Sequence, residues 1–346
     1  MHLRTTQQKI VDAILLREKQ DCPGAIDLIG VYGSVLTGDT HEKSDLDLMI
    51  VGNEDAQILA CGFILDEIGY DIYITSWESL EEDAGCHHAR LSKLMDSEII
   101  YSASSEAEER IRKLRQDADF VLSMPMRYCR SKELYEKAKL AYADMLLADA
   151  FSKARAHSAG VIWNLLDATM LRHGFYFKLG VKHTLEELKQ TGIEDALVDG
   201  ILDVIRAQSL PQLLSNTREL LRAFEPVVIK KYLKEAPVDY VLEGTYEEMV
   251  SNWRHKMTES ARNGDLLGAF LNLASFQGML DDLYDNIVLP QIDVMQDFSS
   301  QDLQKNVKAY ETGLGEYRKV YDAVPMKPAE YPTIEAFIKD YLAGKI

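Results

Sequence analysis

Apolar positions along the first 123 residues switch repeatedly between a helical and an extended spacing. Ile10, Val11, Ile14 and Leu15 recur at three- and four-residue intervals, which predicts an amphipathic helix over about 5–19. A turn at Asp21-Cys22-Pro23-Gly24 precedes Ala25 to Tyr32, a short apolar run ending at Gly33-Ser34 and best read as a strand. Leu46 to Val51 is a second apolar run. The spacing then predicts a helical segment near Asp55–Ile68, a strand from Tyr70 to Ser76, and a fourth strand in SEIIYSAS, residues 97–104. Ser105 with Glu108 has the spacing of a capping box opening a helix to about Leu122. Together these give an α+β domain at 1–123, a small mixed sheet with flanking helices.

From Met124 onward the pattern offers no strand. Segments 131–148, 154–173 and 265–286 carry helical spacing. Thr184 with Glu187 and Thr245 with Glu248 have the form of two more capping boxes. Prolines at 211, 226, 237, 290, 325, 328 and 332 separate further helices. Residues 124–346 are thus expected to form an all-α helical bundle domain, a length that two subbundles would also fit.

Composition narrows the partners. With 47% apolar and 27% charged residues the chain is of ordinary globular type. No run of 18 apolar residues marks a membrane span. Four cysteines without paired spacing fit a reduced, cytoplasmic protein. The net charge is −18, and residues 1–124 alone carry 24 Asp/Glu against 11 Lys/Arg. Grip on a polynucleotide rests largely on neutralising phosphates with basic side chains, so a long nucleic acid is disfavoured. Metal cations and cationic small molecules suit such a surface.

Asp45 and Asp47 sit one residue apart where the chain otherwise reads as a buried strand. Alternation places both on one face, with Met49 and Val51 beyond them, and Leu46, Leu48 and Ile50 on the other. Asp71 is again a lone acid in an apolar run, Tyr-Asp-Ile-Tyr-Ile. On neighbouring strands the three carboxylates can converge. Two carboxylates about 4 Å apart repel by about 4 kcal/mol at an effective dielectric near 20, so such a group takes up protons or cations. An all-oxygen set suits Mg²⁺ or Mn²⁺. Gly33 lets a phosphate approach the backbone, and Ser34 adds a hydroxyl at the start of a short helical segment. Lys43 and Ser44 precede the acid pair and are candidate phosphate contacts, although a loop lysine is more often simply solvated.

Gly33-Ser34, ten residues, then Asp45-Leu46-Asp47-Leu48, with Asp71 as a later third acid, resembles the signature of the nucleotidyltransferase superfamily with the DNA polymerase β-like fold. The form GSxxxGxxxxxSDLDL is similar to small bacterial antibiotic nucleotidyltransferases of the aminoglycoside type. The resemblance covers about the first 120 residues. It implies that Asp45, Asp47 and Asp71 are the catalytic, metal-holding acids for two Mg²⁺ ions (Mn²⁺ being an alternative). It also implies that Gly33 and Ser34, aided by Lys43 and Ser44, bind the nucleotide phosphates. The implied reaction moves a nucleoside monophosphate, AMP from ATP above all, onto a hydroxyl of a small molecule such as an aminoglycoside-like antibiotic, with release of pyrophosphate. Two further readings fit the same residues: a nucleotidyltransferase that modifies a protein or RNA end, as in toxin–antitoxin or signalling systems, and a non-catalytic nucleotide-binding regulator. Glu133, Glu136, Asp144, Asp149 and Asp167 of the helical region offer a general base, but no motif selects among them.

Other patterns have plainer readings. Cys86-His87-His88 lacks a matching second ligand cluster and reads as loop residues rather than a zinc site. The run Glu78–Asp83 suits a cationic substrate and is explained equally by acid enrichment in a first helical turn. Phe175-Tyr176-Phe177 reads as a core contact at a helix end.

Overall fold

The computed structural model describes residues 5–38, 44–229, 236–237, 239–324 and 327–344. The chain divides into two compact units, Met1–Lys230 and Lys231–Ile346; the boundary expected at 123 falls inside the first.

The first unit opens with helix α1 (Thr5–Asp21) and strand β1 (Ile26–Val31), followed by a single-turn helix α2 (Ser34–Thr37) and strand β2 (Leu48–Gly52). Strands β3 (Cys61–Leu65), β4 (Ile68–Ile72) and β5 (Ile74–Thr75) precede helices α3 (Trp77–Ala84) and α4 (Ser92–Met95), then strand β6 (Glu98–Ser102). The main sheet has the order β5-β2-β1-β6. β1 is antiparallel to both β2 and β6, whereas β5 runs parallel to β2, so the sheet is mixed.

β1 and β2 are the centre of the sheet because both of their faces are apolar. Ile26, Ile29, Val31, Leu48 and Ile50 pack with Val11 and Ile14 of α1. Leu28, Met49 and Val51 face the other way, into a core shared with Leu80 of α3 and with Ile111 and Leu114 of α5 (Ser105–Ser123). That second core continues without a break into α6 (Met126–Leu147), α7 (Phe151–Arg172), α8 (Thr184–Lys189), α9 (Asp195–Arg206) and α10 (Leu210–Val228). Half of the sheet and the helices behind it therefore share one hydrophobic interior, which is what makes residues up to about 230 a single compact body.

Several local expectations are corrected. Residues 55–68 are not a helix: a 3₁₀ turn over Glu54–Leu59 leads into β3, whose side chains are mostly exposed. The run 70–76 splits, β4 pairing with β3 in a separate two-stranded ladder and only Ile74–Thr75 joining β2. Helix α5 is capped by Ser104, whose Oγ accepts the Ala107 amide at 3.2 Å, and Ser105 is already its first helical residue. The Thr184 and Thr245 boxes do not form either. The cap of α8 is His183, without a side-chain cap bond, and Thr245 Oγ1 donates to the Leu242 carbonyl at 2.6 Å. The other helical expectations fall within a few residues of α1, α6 and α7.

The second unit contains α11 (Asp239–Leu242), α12 (Thr245–Met249), α13 (His255–Asn263), α14 (Leu266–Asn286), α15 (Leu303–Asp322) and α16 (Ile334–Leu342). Its core is unusually aromatic, with Phe276, Tyr310, Tyr317 and Tyr321 fully buried. Helix α14 is capped by Asp265, whose Oδ1 accepts the Gly268 amide at 2.9 Å. Among the described residues no strand follows Ser102, and no helix is long and apolar enough to cross a membrane.

Leu28 is fully buried where the sheet meets the helical core, while Leu147 at the end of α6 is 83% exposed. Leu28→Ala should therefore lower unfolding free energy by about 2–5 kcal/mol, and Leu147→Ala by less than about 0.5, in urea titrations followed by circular dichroism.

Candidate active site

At the end of β1 the backbone makes a turn that only glycine tolerates well. Gly33 has φ 72° and ψ −147°, and the single-turn helix α2 starts directly after it. The turn is closed from within, since the Gly33 carbonyl accepts the amides of Leu36 at 3.1 Å and Thr37 at 3.2 Å. On the neighbouring strand, residues 44–47 lead into β2. The Tyr32 amide donates to the Asp47 carbonyl at 3.1 Å, carrying the β1–β2 ladder one step past its regular end.

The consequence is close contact between the turn and an acid. A Cβ on residue 33 would stand 2.0 Å from Asp47 Oδ2, so the carboxylate occupies the space a side chain would fill. The Ser34 amide donates to this carboxylate. The Asp47 carboxyl is pushed up to about 6, chiefly by burial and next by repulsion from Asp45, with the Ser34 amide pulling the other way. Asp45, one pleat away, is exposed, and Leu46 between them is buried. The Ser34 hydroxyl is buried and has no hydrogen-bond partner among the described residues, a state that costs free energy unless something supplies one.

These groups line a cleft of about 650 Å³, with Gly33, Ser34, Ser44, Asp45 and Asp47 on the sheet side. A volume of this order fits a nucleotide-sized ligand. Tyr32 also lines it, with its hydroxyl 2.7 Å from that of Tyr73 and held above its ordinary range by burial and by that bond. The structure thus brings Gly33, Ser34, Ser44, Asp45 and Asp47 together. Lys43 lies outside the described residues.

Asp71 is not brought to the cleft. It is exposed on β4, opposite Gly62, and the expected convergence of three carboxylates is not formed. The reason is the turn at Asp66-Glu67, where both residues take left-handed φ of 51° and 63° and fold β4 back onto β3 instead of against β2. Among the described residues no group of three or more His, Cys, Asp or Glu side chains is placed to hold a metal ion. The pair Asp45–Asp47 nevertheless offers oxygen donors of the type a hard divalent cation takes. The raised carboxyl of Asp47 is the electrostatic mark of a site where added positive charge is favoured.

The tip of the β3–β4 hairpin lines the cleft through Glu67, Ile68 and Gly69, and a loop far along the chain lines it through Lys178 to Lys182. Sequence reading missed both. Glu67 lay in a segment read as helix, and Lys178 and Lys182 lay in a loop with no motif. In the Cys86-His87-His88 segment, Cys86 is buried, and desolvation pushes its thiol up to about 12. His88 is engaged on both nitrogens, Nε2 with Asp83 at 3.2 Å and Nδ1 accepting the Arg90 amide.

In metal-free buffer the native protein holds a proton on Asp47, between its ordinary value of 3.8 and about 6, that the unfolded chain has released. Stability should therefore fall as pH rises through that window, and Asp47→Asn should remove that part of the slope and unfold at higher urea near pH 7 than the parent. Gly33→Ala, which must displace the Asp47 carboxylate and adopt a left-handed φ, should cost about 1–3 kcal/mol in the same titration.

Residues 14–125 match the family model described as nucleotidyltransferase domain. No curated protein matches the chain. Among solved structures, the chain is similar to a nucleotidyltransferase-like protein from Exiguobacterium sibiricum, at 11% identity over 81% of this chain and 90% of that one, with a TM-score of 0.34. The match places a nucleotidyltransferase domain at the N-terminus, on the small mixed sheet and its flanking helices, and a mostly helical region follows it.

Proposed function

We propose that the protein transfers a nucleoside monophosphate, AMP from ATP in the first instance, to a hydroxyl of a small molecule and releases pyrophosphate. The observation that carries this reading is the seating of the Asp47 carboxylate in the Cβ space of Gly33, beside a Ser34 hydroxyl without a partner among the described residues, in a cleft of nucleotide size. This is an arrangement for a ligand that presents oxygen and positive charge at one point.

Asp45 and Asp47 would hold divalent magnesium, which supplies neutralisation of phosphate charge and activation of the attacking oxygen. The chain's own part is placement. Gly33 admits the phosphate chain close to the backbone, and the Ser34 hydroxyl donates to an oxygen there. Asp47, once ionised, fixes the cationic end of the substrate, and Asp45 adds a second carboxylate without itself being buried. Such a reaction gains mostly from holding the acceptor hydroxyl, the α-phosphorus and the leaving pyrophosphate in line. The acidity of residues 1–124 supports a cationic acceptor, and an aminoglycoside-like polyamine sugar has both the charge and the hydroxyls.

Incubation with Mg²⁺, each of four nucleoside triphosphates and panels of aminoglycosides, other hydroxylated amines and candidate proteins, read as pyrophosphate release, tests this directly. An accepting partner should give turnover that the Asp45→Asn/Asp47→Asn variant lowers by at least about 100-fold. Absence of any pyrophosphate release across the panel, or release undiminished in the double variant, would refute the reading.

A further inference from the structure

The family match ends at residue 125, yet part of the cleft wall comes from residues 178–182. We propose that Phe177–Lys182 is a polyphosphate-gripping arm, with Lys178 and Lys182 as its ligands and Glu187 as the positioning residue that holds it. The proposal rests on the reading of the cleft as a nucleotide site.

Three observations build it. First, the α2 turn has few amides left for phosphate. Ser34 N–H is bonded to the Asp47 carboxylate, and Leu36 and Thr37 N–H are bonded to the Gly33 carbonyl. Gly33 and Ser34 can admit a phosphate and offer it one hydroxyl, but they cannot neutralise a triphosphate bearing several negative charges. Magnesium would offset part of that charge, and among the described lining residues the lysines of this loop are the cationic side chains that can offset the rest.

Second, the loop is fixed where its cleft-facing stretch begins. The Phe177 ring is buried, and its amide donates to the Ala89 carbonyl at 2.7 Å. The Ala89 strip is in turn tied to α7, where Arg90 meets the buried Asp167 carboxylate at 3.1 Å. Glu187, itself only 5% exposed, then receives the Lys178 amide on Oε1 at 2.8 Å and the Leu179 amide on Oε2 at 3.1 Å. A buried carboxylate is costly unless its oxygens are satisfied, and here both are satisfied by one loop. This explains why the capping box expected of Glu187 does not form: the side chain reaches out of its helix to the arm.

Third, the arm carries charge opposite to that of the wall it shares the cleft with. Lys178 and Lys182 are exposed, and Lys178 Nζ lies 5.1 Å from the centroid of the Tyr176 ring, which gives its stem a fixed support. A cleft with Asp45 and Asp47 on the sheet side and two lysines on the arm is bipolar. A metal–triphosphate is bipolar in the same way, with a cation bound to a polyanion.

Binding of inorganic tripolyphosphate and of adenosine, measured by calorimetry at two salt concentrations, tests the assignment without requiring turnover. Lys178→Ala and Lys182→Ala should each weaken tripolyphosphate by about tenfold and flatten its salt dependence, leaving adenosine unaffected. Lys178→Arg should restore most of the loss, and Lys189→Ala, at an exposed lysine paired with Asp195, should change nothing. Glu187→Gln retains one acceptor oxygen and should weaken tripolyphosphate several-fold and raise KM for nucleotide while KM for the acceptor stays constant. Wild-type protein that fails to bind tripolyphosphate, or a Lys178→Ala/Lys182→Ala variant that binds it as wild type does, overturns the proposal. Loss of tripolyphosphate in the lysine variants, in a protein that releases no pyrophosphate with any acceptor, sustains the arm and sinks the transferase reading.

Discussion

The site depends on one contact, the Asp47 carboxylate seated where a side chain of residue 33 would otherwise be. It joins two strands that the sequence separates by a loop, and it imposes three conditions at once. Residue 33 must be glycine for both its space and its φ, the Ser34 amide must point at the acid, and the acid must accept partial burial. The penalty appears as a carboxyl pushed up to about 6 by burial and by repulsion from Asp45.

The rest of the first unit can be understood as support for that contact. β1 and β2 are apolar on both faces, so their register is fixed from two sides, and slippage by one residue would send every core side chain to the wrong layer. The ladder's last bond, Tyr32 to Asp47, carries that register directly into the site. Because the helical core continues from the inner face of the sheet, the loop bearing Lys178 and Lys182 belongs to the same interior as the strand bearing Asp47. Its anchoring through Phe177, Ala89 and Glu187 makes it part of the cleft wall and not a passing surface loop.

Legibility from sequence followed the range of the interactions involved. The strands 25–32 and 46–51, the long helices and the Gly33-Ser34/Asp45-Asp47 pattern are dictated by local periodicity and by turn chemistry within twenty residues. They were readable for that reason. The hairpin of β3 and β4 was not, because Cys61–Leu65 is largely exposed and lacks the alternation that marks a half-buried strand. The misplacement of Asp71 follows from the same error. A strand read as one piece from 70 to 76 puts Asp71 beside Asp47, whereas the left-handed turn at Asp66-Glu67 sends β4 to a different partner.

By itself the sequence determined that a glycine, a serine and two acids meet at the end of a buried two-strand core, since hydrophobic alternation and glycine's freedom leave little choice there. Tertiary structure alone decided which other charges share that space. Glu67 arrives on a hairpin tip, and Lys178 and Lys182 arrive on a loop held by a carboxylate nine or fewer residues further on, Glu187. No local rule encodes those meetings. They result from packing a distant helix onto the inner face of the sheet, and the free energy that selects them is spread over the whole of the shared core.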